Sequence, residues 1–75
     1  MNNKRRKQLS GVIETLNIMK ESIESVRDEE QETFDNMPEN LQMSDRAMTS
    51  ENAIEALEEA LESLDNVLDR LEEVL

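Results

Sequence analysis

Carboxylates are the only plentiful reactive groups in this sequence, and they come in two dense runs: Asp28, Glu29, Glu32 and Asp35, then Glu55, Glu58, Glu59 and Glu62. Acids spaced by one and three residues on helices can collect divalent cations weakly. They lack the alternating ligands and Gly of a calcium loop, and they lack the Glu-x-x-His pattern of a di-iron bundle. The chain has no His and no Cys. A Ser nucleophile would have no imidazole to take its proton, and zinc would have neither thiolate nor imidazole ligands. The single Gly, Gly11, cannot form a phosphate-cradling loop. No enzyme is expected, and no cofactor or metal. The acids read first as solvated helix faces, and second as a surface that a basic partner would recognise, with Glu55, Glu58, Glu59 and Glu62 as its candidate residues.

The other charged feature is the cluster Lys4, Arg5, Arg6 and Lys7. Without interleaved aromatics it reads better as a helix end than as a phosphate-binding arm, although cations there oppose the helix macrodipole. The formal charge is -11, and it is unevenly spread. Residues 1 to 27 hold six Lys/Arg against three Glu, whereas residues 28 to 75 hold two Arg against sixteen acids. Nucleic acid and anionic lipid would repel the larger part, so direct nucleic-acid binding is not expected. Mimicry of nucleic-acid charge remains open.

The elements that carry these charges are set by apolar periodicity. From Ala53 to the end, Ile54, Leu57, Leu61, Leu64, Leu68 and Leu71 alternate steps of three and four, the a/d seam of a coiled coil, with Leu75 next in phase. Ala53, Ala60, Val67 and Val74 recur every seven residues beside it, at g. The stripe is therefore as wide as that of a bundle helix. Earlier in the chain, Leu9, Val12, Leu16, Met19, Ile23 and Val26 step the same way, widened by Ile13, before Glu30 and Thr33 continue the line as polar residues. Ser10-Gly11 is a weak spot costing about 1 kcal/mol relative to Ala, but Leu9 is already in phase and predicts one continuous helix.

Periodicity breaks between Phe34 and Ser44 around the only Pro, Pro38. The residue before Pro avoids the α region, so the first helix should end by Asn36, with Pro38 opening a short turn through Gln42. Phe34, Met37, Leu41 and Met43 are expected to plug this end. The second helix can start after Ser44 or Ser50, each an acceptable N-cap followed by an acid. Ala47, in phase with Ile54, favours Ser44. The expected fold class is all-α: an antiparallel two-helix hairpin of coiled-coil type, one domain over 1–75, with helices at about 3–34 and 44–75 and a loop at 35–43. A reversal near Glu39 would set Arg6 beside Glu72 and Arg5 beside Glu73. Seventy-five residues make a thin core without disulfides. The wide stripes therefore predict a homodimer or small homo-oligomer, most simply two hairpins assembled as a four-helix bundle.

The segment Phe34-Asp35-Asn36-Met37-Pro38-Glu39-Asn40-Leu41-Gln42, between a helix opening with Asn-Lys-Arg-Arg-Lys and a Glu/Ala/Leu heptad helix, resembles a group of small proteins of phages and prophages of Gram-positive bacteria. Those members carry a Gly before the Ser that follows Gln42, where this chain has Met43-Ser44. The resemblance spans nearly the whole chain and implies a phage setting in the cytoplasm of a bacterial host. It implies no catalytic or binding residues. With no run apolar enough to span a membrane, two functions are expected in order. The first is a non-enzymatic interaction protein acting through self-assembly and protein binding. The second is an acidic DNA mimic inhibiting a host or defence enzyme.

Overall fold

A computed structural model of the chain describes residues 1–41 and 44–75; the expectations for Gln42 and Met43 lie outside the described residues. Two α-helices, α1 (Asn3–Asp35) and α2 (Asp45–Glu72), are joined through a single 3-10 turn at Glu39–Leu41, and no strand occurs among the described residues. They pack as a long hairpin of 59 × 15 × 12 Å. At 1.5 Å per residue the helices are about 50 and 42 Å long.

Each boundary has a local cause. The side chain of Asn2 caps α1 by accepting from the Arg5 N–H at 2.9 Å. α1 then runs unbroken through Ser10-Gly11. Pro38 cannot continue it, and the Pro38 carbonyl instead accepts from the Leu41 N–H at 2.8 Å to close the 3-10 turn. Ser44 is the cap of α2, accepting from the Ala47 N–H at 3.3 Å. Ser50 lies inside the helix, buried. The second helix stops at Glu72, short of the expected 75, and Val74 and Leu75 only continue a turn.

On α2 the buried and half-buried line is Ala47, Ser50, Ile54, Leu57, Leu61, Leu64, Leu68 and Leu71, the expected seam extended by one heptad toward the loop. On α1 the seam differs from the expected one. Leu9, Leu16 and Ile23 face α2, but the alternate positions are Ile13, Lys20, Arg27 and Phe34, each one residue after a repeat starting at Val12. Val12, Met19 and Val26 stay 45–55% exposed beside the seam. This rotation brings Ile13 and the large Phe34 ring inward. The long stems of Lys20 and Arg27 can cover apolar surface while their charged ends reach water.

The register is also shifted. Contacts across the hairpin join Lys20 to Asp65 and Glu30 to Ser50, so paired positions sum to between 80 and 85, not 78. The loop is centred near Asn40, and Ala47 and Ser50 are small enough to pack back against its end. Arg6 would then lie opposite a position beyond Leu75. By the Lys20–Asp65 register the first turns of α1, carrying Lys4 to Lys7, overhang the end of α2, and they are exposed. Arg6 bonds its own Asn3, and Glu73 is held by Arg70 at 2.6 Å. The expected Arg6–Glu72 and Arg5–Glu73 neighbours do not meet.

Candidate interaction surface

The seam itself has a polar middle. The ammonium of Lys20 meets the Asp65 carboxylate at 2.5 Å, with Glu24 one turn along at 3.9 Å. The hydrogen bond to Asp65 raises the Lys20 pKa above its ordinary 10.5, aided by the charges of Asp65, Glu24 and Asp69 and opposed by partial desolvation. Nearer the loop, the Ser50 hydroxyl donates to Glu30 at 2.6 Å. Every buried side-chain N or O among the described residues has a partner, as a stable interior requires.

On either side of this seam the hairpin has two unlike flanks. One carries Glu24 and Gln31 of α1 and Glu51, Glu58, Asp65 and Glu72 of α2, the e positions. Gln31, Phe34, Glu51, Glu55 and Glu58 line a shallow trough there, which places the e positions of both helices on the same side. Of the four candidate acids, Glu55 and Glu58 border the trough, and all of Glu55, Glu58, Glu59 and Glu62 are exposed. Among the described residues no group of three acids is placed to hold a metal ion.

The opposite flank is formed by the g positions. Thr33 of α1 and Arg46 of α2 share a hollow of about 470 Å³ at its loop end, walled by Met37, Pro38 and Leu41. Of the expected apolar plug, Phe34 and Met37 are half-buried and Leu41 is exposed. Along the hairpin this flank presents Val12, Met19 and Val26 from α1, and Val67 and Val74 from α2, the latter 46% and 47% exposed. Ala53 and Ala60 continue the α2 line. The positions just outside it are Thr15, Ser22 and Glu29 on one helix and Thr49, Ala56, Ser63 and Arg70 on the other. Only one of these, Glu29, is acidic, in a chain of 19 acids.

Four of the hydroxyls on this flank bond their own helix. Thr15 donates to the Gly11 carbonyl at 3.1 Å, Ser22 to Ile18 at 3.4 Å, Thr33 to Glu29 at 3.0 Å and Thr49 to Asp45 at 2.9 Å. Such back-bonding slightly weakens a helix but leaves the donor independent of water. Sequence periodicity picked out Val12, Met19, Val26, Val67 and Val74, and it set those of α1 in the seam, where the structure does not bury them. Exposure in the folded hairpin separates the two. The chain matches no known protein-family model, no curated protein and no solved structure.

Proposed function

We propose that this chain is a non-enzymatic interaction protein of phage type, acting in the bacterial cytoplasm by coiled-coil self-assembly and by binding another protein. The observation that carries this reading is the imbalance between core and surface. The buried apolar residues are Ile13, Ala47, Ile54, Leu61 and Leu68, with no large side chain fully enclosed, while Val12, Ile18, Met19, Val26, Val67 and Val74 stay about half exposed. A domain this size needs more buried area than one thin seam supplies. The phage setting rests on the Phe34–Gln42 loop. Sedimentation equilibrium of the parent chain at micromolar concentration tests the reading. A species heavier than one chain of 8.7 kDa is expected, and a stable species of that single mass would overturn self-assembly.

The second reading, an acidic mimic of nucleic acid, is supported by the concentration of acids on the e flank and the outer face. Nineteen acids along 59 Å give about one charge per 3 Å, close to the ~3.4 Å spacing of a single DNA strand and half the density of the duplex. Competition with DNA for a basic bacterial DNA-binding protein, followed as salt is raised, tests it. Replacing Glu58, Glu59 and Glu62 by Gln should weaken competition and flatten its salt dependence. Unchanged competition would remove the acidic face from consideration.

A further inference from the structure

We infer that the g flank of the hairpin is the seat of a second copy of this chain, packed flank to flank and antiparallel, with the loop end of each copy against the open end of the other. The inference rests on the self-assembly reading and specifies its surface and orientation. Three observations support the occupant. First, the accessible surface is 5863 Å², whereas a folded monomer of this mass exposes about 4,700 Å² by the usual scaling. The excess of about 1,100 Å² exceeds the ~800 Å² that each partner contributes to a stable interface. Second, the g flank is where Val12, Met19, Val26, Val67 and Val74 are exposed together, so covering it removes apolar surface that the seam cannot reach. Third, much of the polar edge of this flank is already paired. Its Thr15, Ser22, Thr33 and Thr49 hydroxyls bond their own helix, and Glu29 is the one carboxylate facing it.

Charge selects the direction of the second copy. Two chains of -11 repel, and the arrangement that least opposes association puts the e flanks outward on both sides, where salt screens them. Met19 and Val67, level with each other near the middle of the flank, would then sit close to the two-fold axis. The overhanging turn with Lys4, Arg5, Arg6 and Lys7 lies at the open end, and Asp35, Glu39 and Asp45 lie at the loop end. An antiparallel pair sets each overhang beside the acidic tip of the other copy. A parallel pair would set four cations against four and acidic tip against acidic tip.

Sedimentation equilibrium is compared for the parent and for a Met19→Glu/Val67→Glu variant, with helicity followed by circular dichroism. The expected result is a two-chain species for the parent and a helical single-chain species for the variant. In parallel, Arg46→Cys in the full chain, which has no other Cys, carries a nitroxide for distance measurement. Arg46 lies about 27 Å along α2 from Leu64, which the Lys20–Asp65 pairing sets level with the middle of the hairpin, so antiparallel copies place the two labels about 55 Å apart. A parent dimer that survives the double substitution would overturn this surface while leaving self-assembly standing. Labels within about 20 Å would overturn the orientation, and a parent that sediments as one chain would overturn both this proposal and the self-assembly on which it rests. If the variant loses its helices, the label distance in the otherwise native dimer decides.

Discussion

Lys20 occupies a seam position on α1 where a heptad pattern would favour an apolar residue, and it is tolerated because its ammonium reaches Asp65. Its pKa is raised by that hydrogen bond. A group whose folded value is raised contributes stability that is complete below the unfolded value and is lost as pH rises through the folded one. The stability difference between the parent and Lys20→Met should therefore be constant from neutral pH up to about 10 and shrink at higher pH. Urea melts across that range would check it, and a difference that grew with pH would mean the lysine is not held by Asp65. Glu30 and Ser50 form the other polar contact in the seam, at 2.6 Å. Removing only the hydroxyl leaves a half-buried carboxylate without its donor, so Ser50→Ala should cost about 1–3 kcal/mol. Replacing both partners, Glu30→Leu with Ser50→Ala, should recover that loss or more, because the desolvated charge is gone. A double variant less stable than Ser50→Ala alone would show that Glu30 is held by something other than Ser50.

At the scale of the elements, α2 was legible from sequence and the face of α1 was not. Every seam position of α2 from Ile54 to Leu71 is Ile or Leu, so only one rotation buries them all. In α1 two apolar lines one residue apart compete, one through Val12, Met19 and Val26 and one through Ile13 and Phe34 with Lys20 and Arg27 between them. Residue type alone prefers the first. The folded hairpin takes the second because it buries an Ile, half-buries a Phe and gives Lys20 a partner, energies that depend on α2 and are invisible to the local pattern. The helix count, the Pro38 break and the Ser44 cap were legible because each follows from backbone chemistry at the position itself. The register was not, since it depends on how closely small residues such as Ala47 let the chain fold back. Two measurements probe this level. Leu61, 6% exposed and central in α2, should cost about 2–5 kcal/mol on change to Ala. A melt unchanged by Leu61→Ala would mean that α2 buries another face. Gly11→Ala should stabilise α1 by roughly 0.8–1 kcal/mol, because a methyl group there meets nothing within 4 Å. A loss of stability instead would reveal another helix passing close to Gly11.

For the whole molecule the dominant electrostatic fact is repulsion. The chain carries -11 on a hairpin only 15 × 12 Å in section, and its ion pairs among the described residues are at least partly exposed, including Arg27–Asp28 on α1 and Arg70–Glu73 at the end of α2. Exposed pairs contribute at most about 1 kcal/mol each. Self-repulsion, by contrast, sums over all the acids that can sense one another. At ~0.01 M salt the Debye length is about 30 Å, twice the width of the hairpin, so acids on opposite sides interact; at ~1 M it is about 3 Å and only immediate neighbours do. Salt should thus relieve more repulsion than it removes attraction. The melting temperature, measured at fixed protein concentration because association shifts it, is expected to rise steadily as NaCl is increased. Removing acids from the outer face, as in Glu58, Glu59 and Glu62→Gln, should raise the melting temperature most at low salt and least at high salt. If salt lowered the melting temperature instead, the Lys20–Asp65 pair and the basic overhang against an acidic tip would have to outweigh the repulsion among 19 carboxylates, and the hairpin would be held by charge pairing more than by its seam.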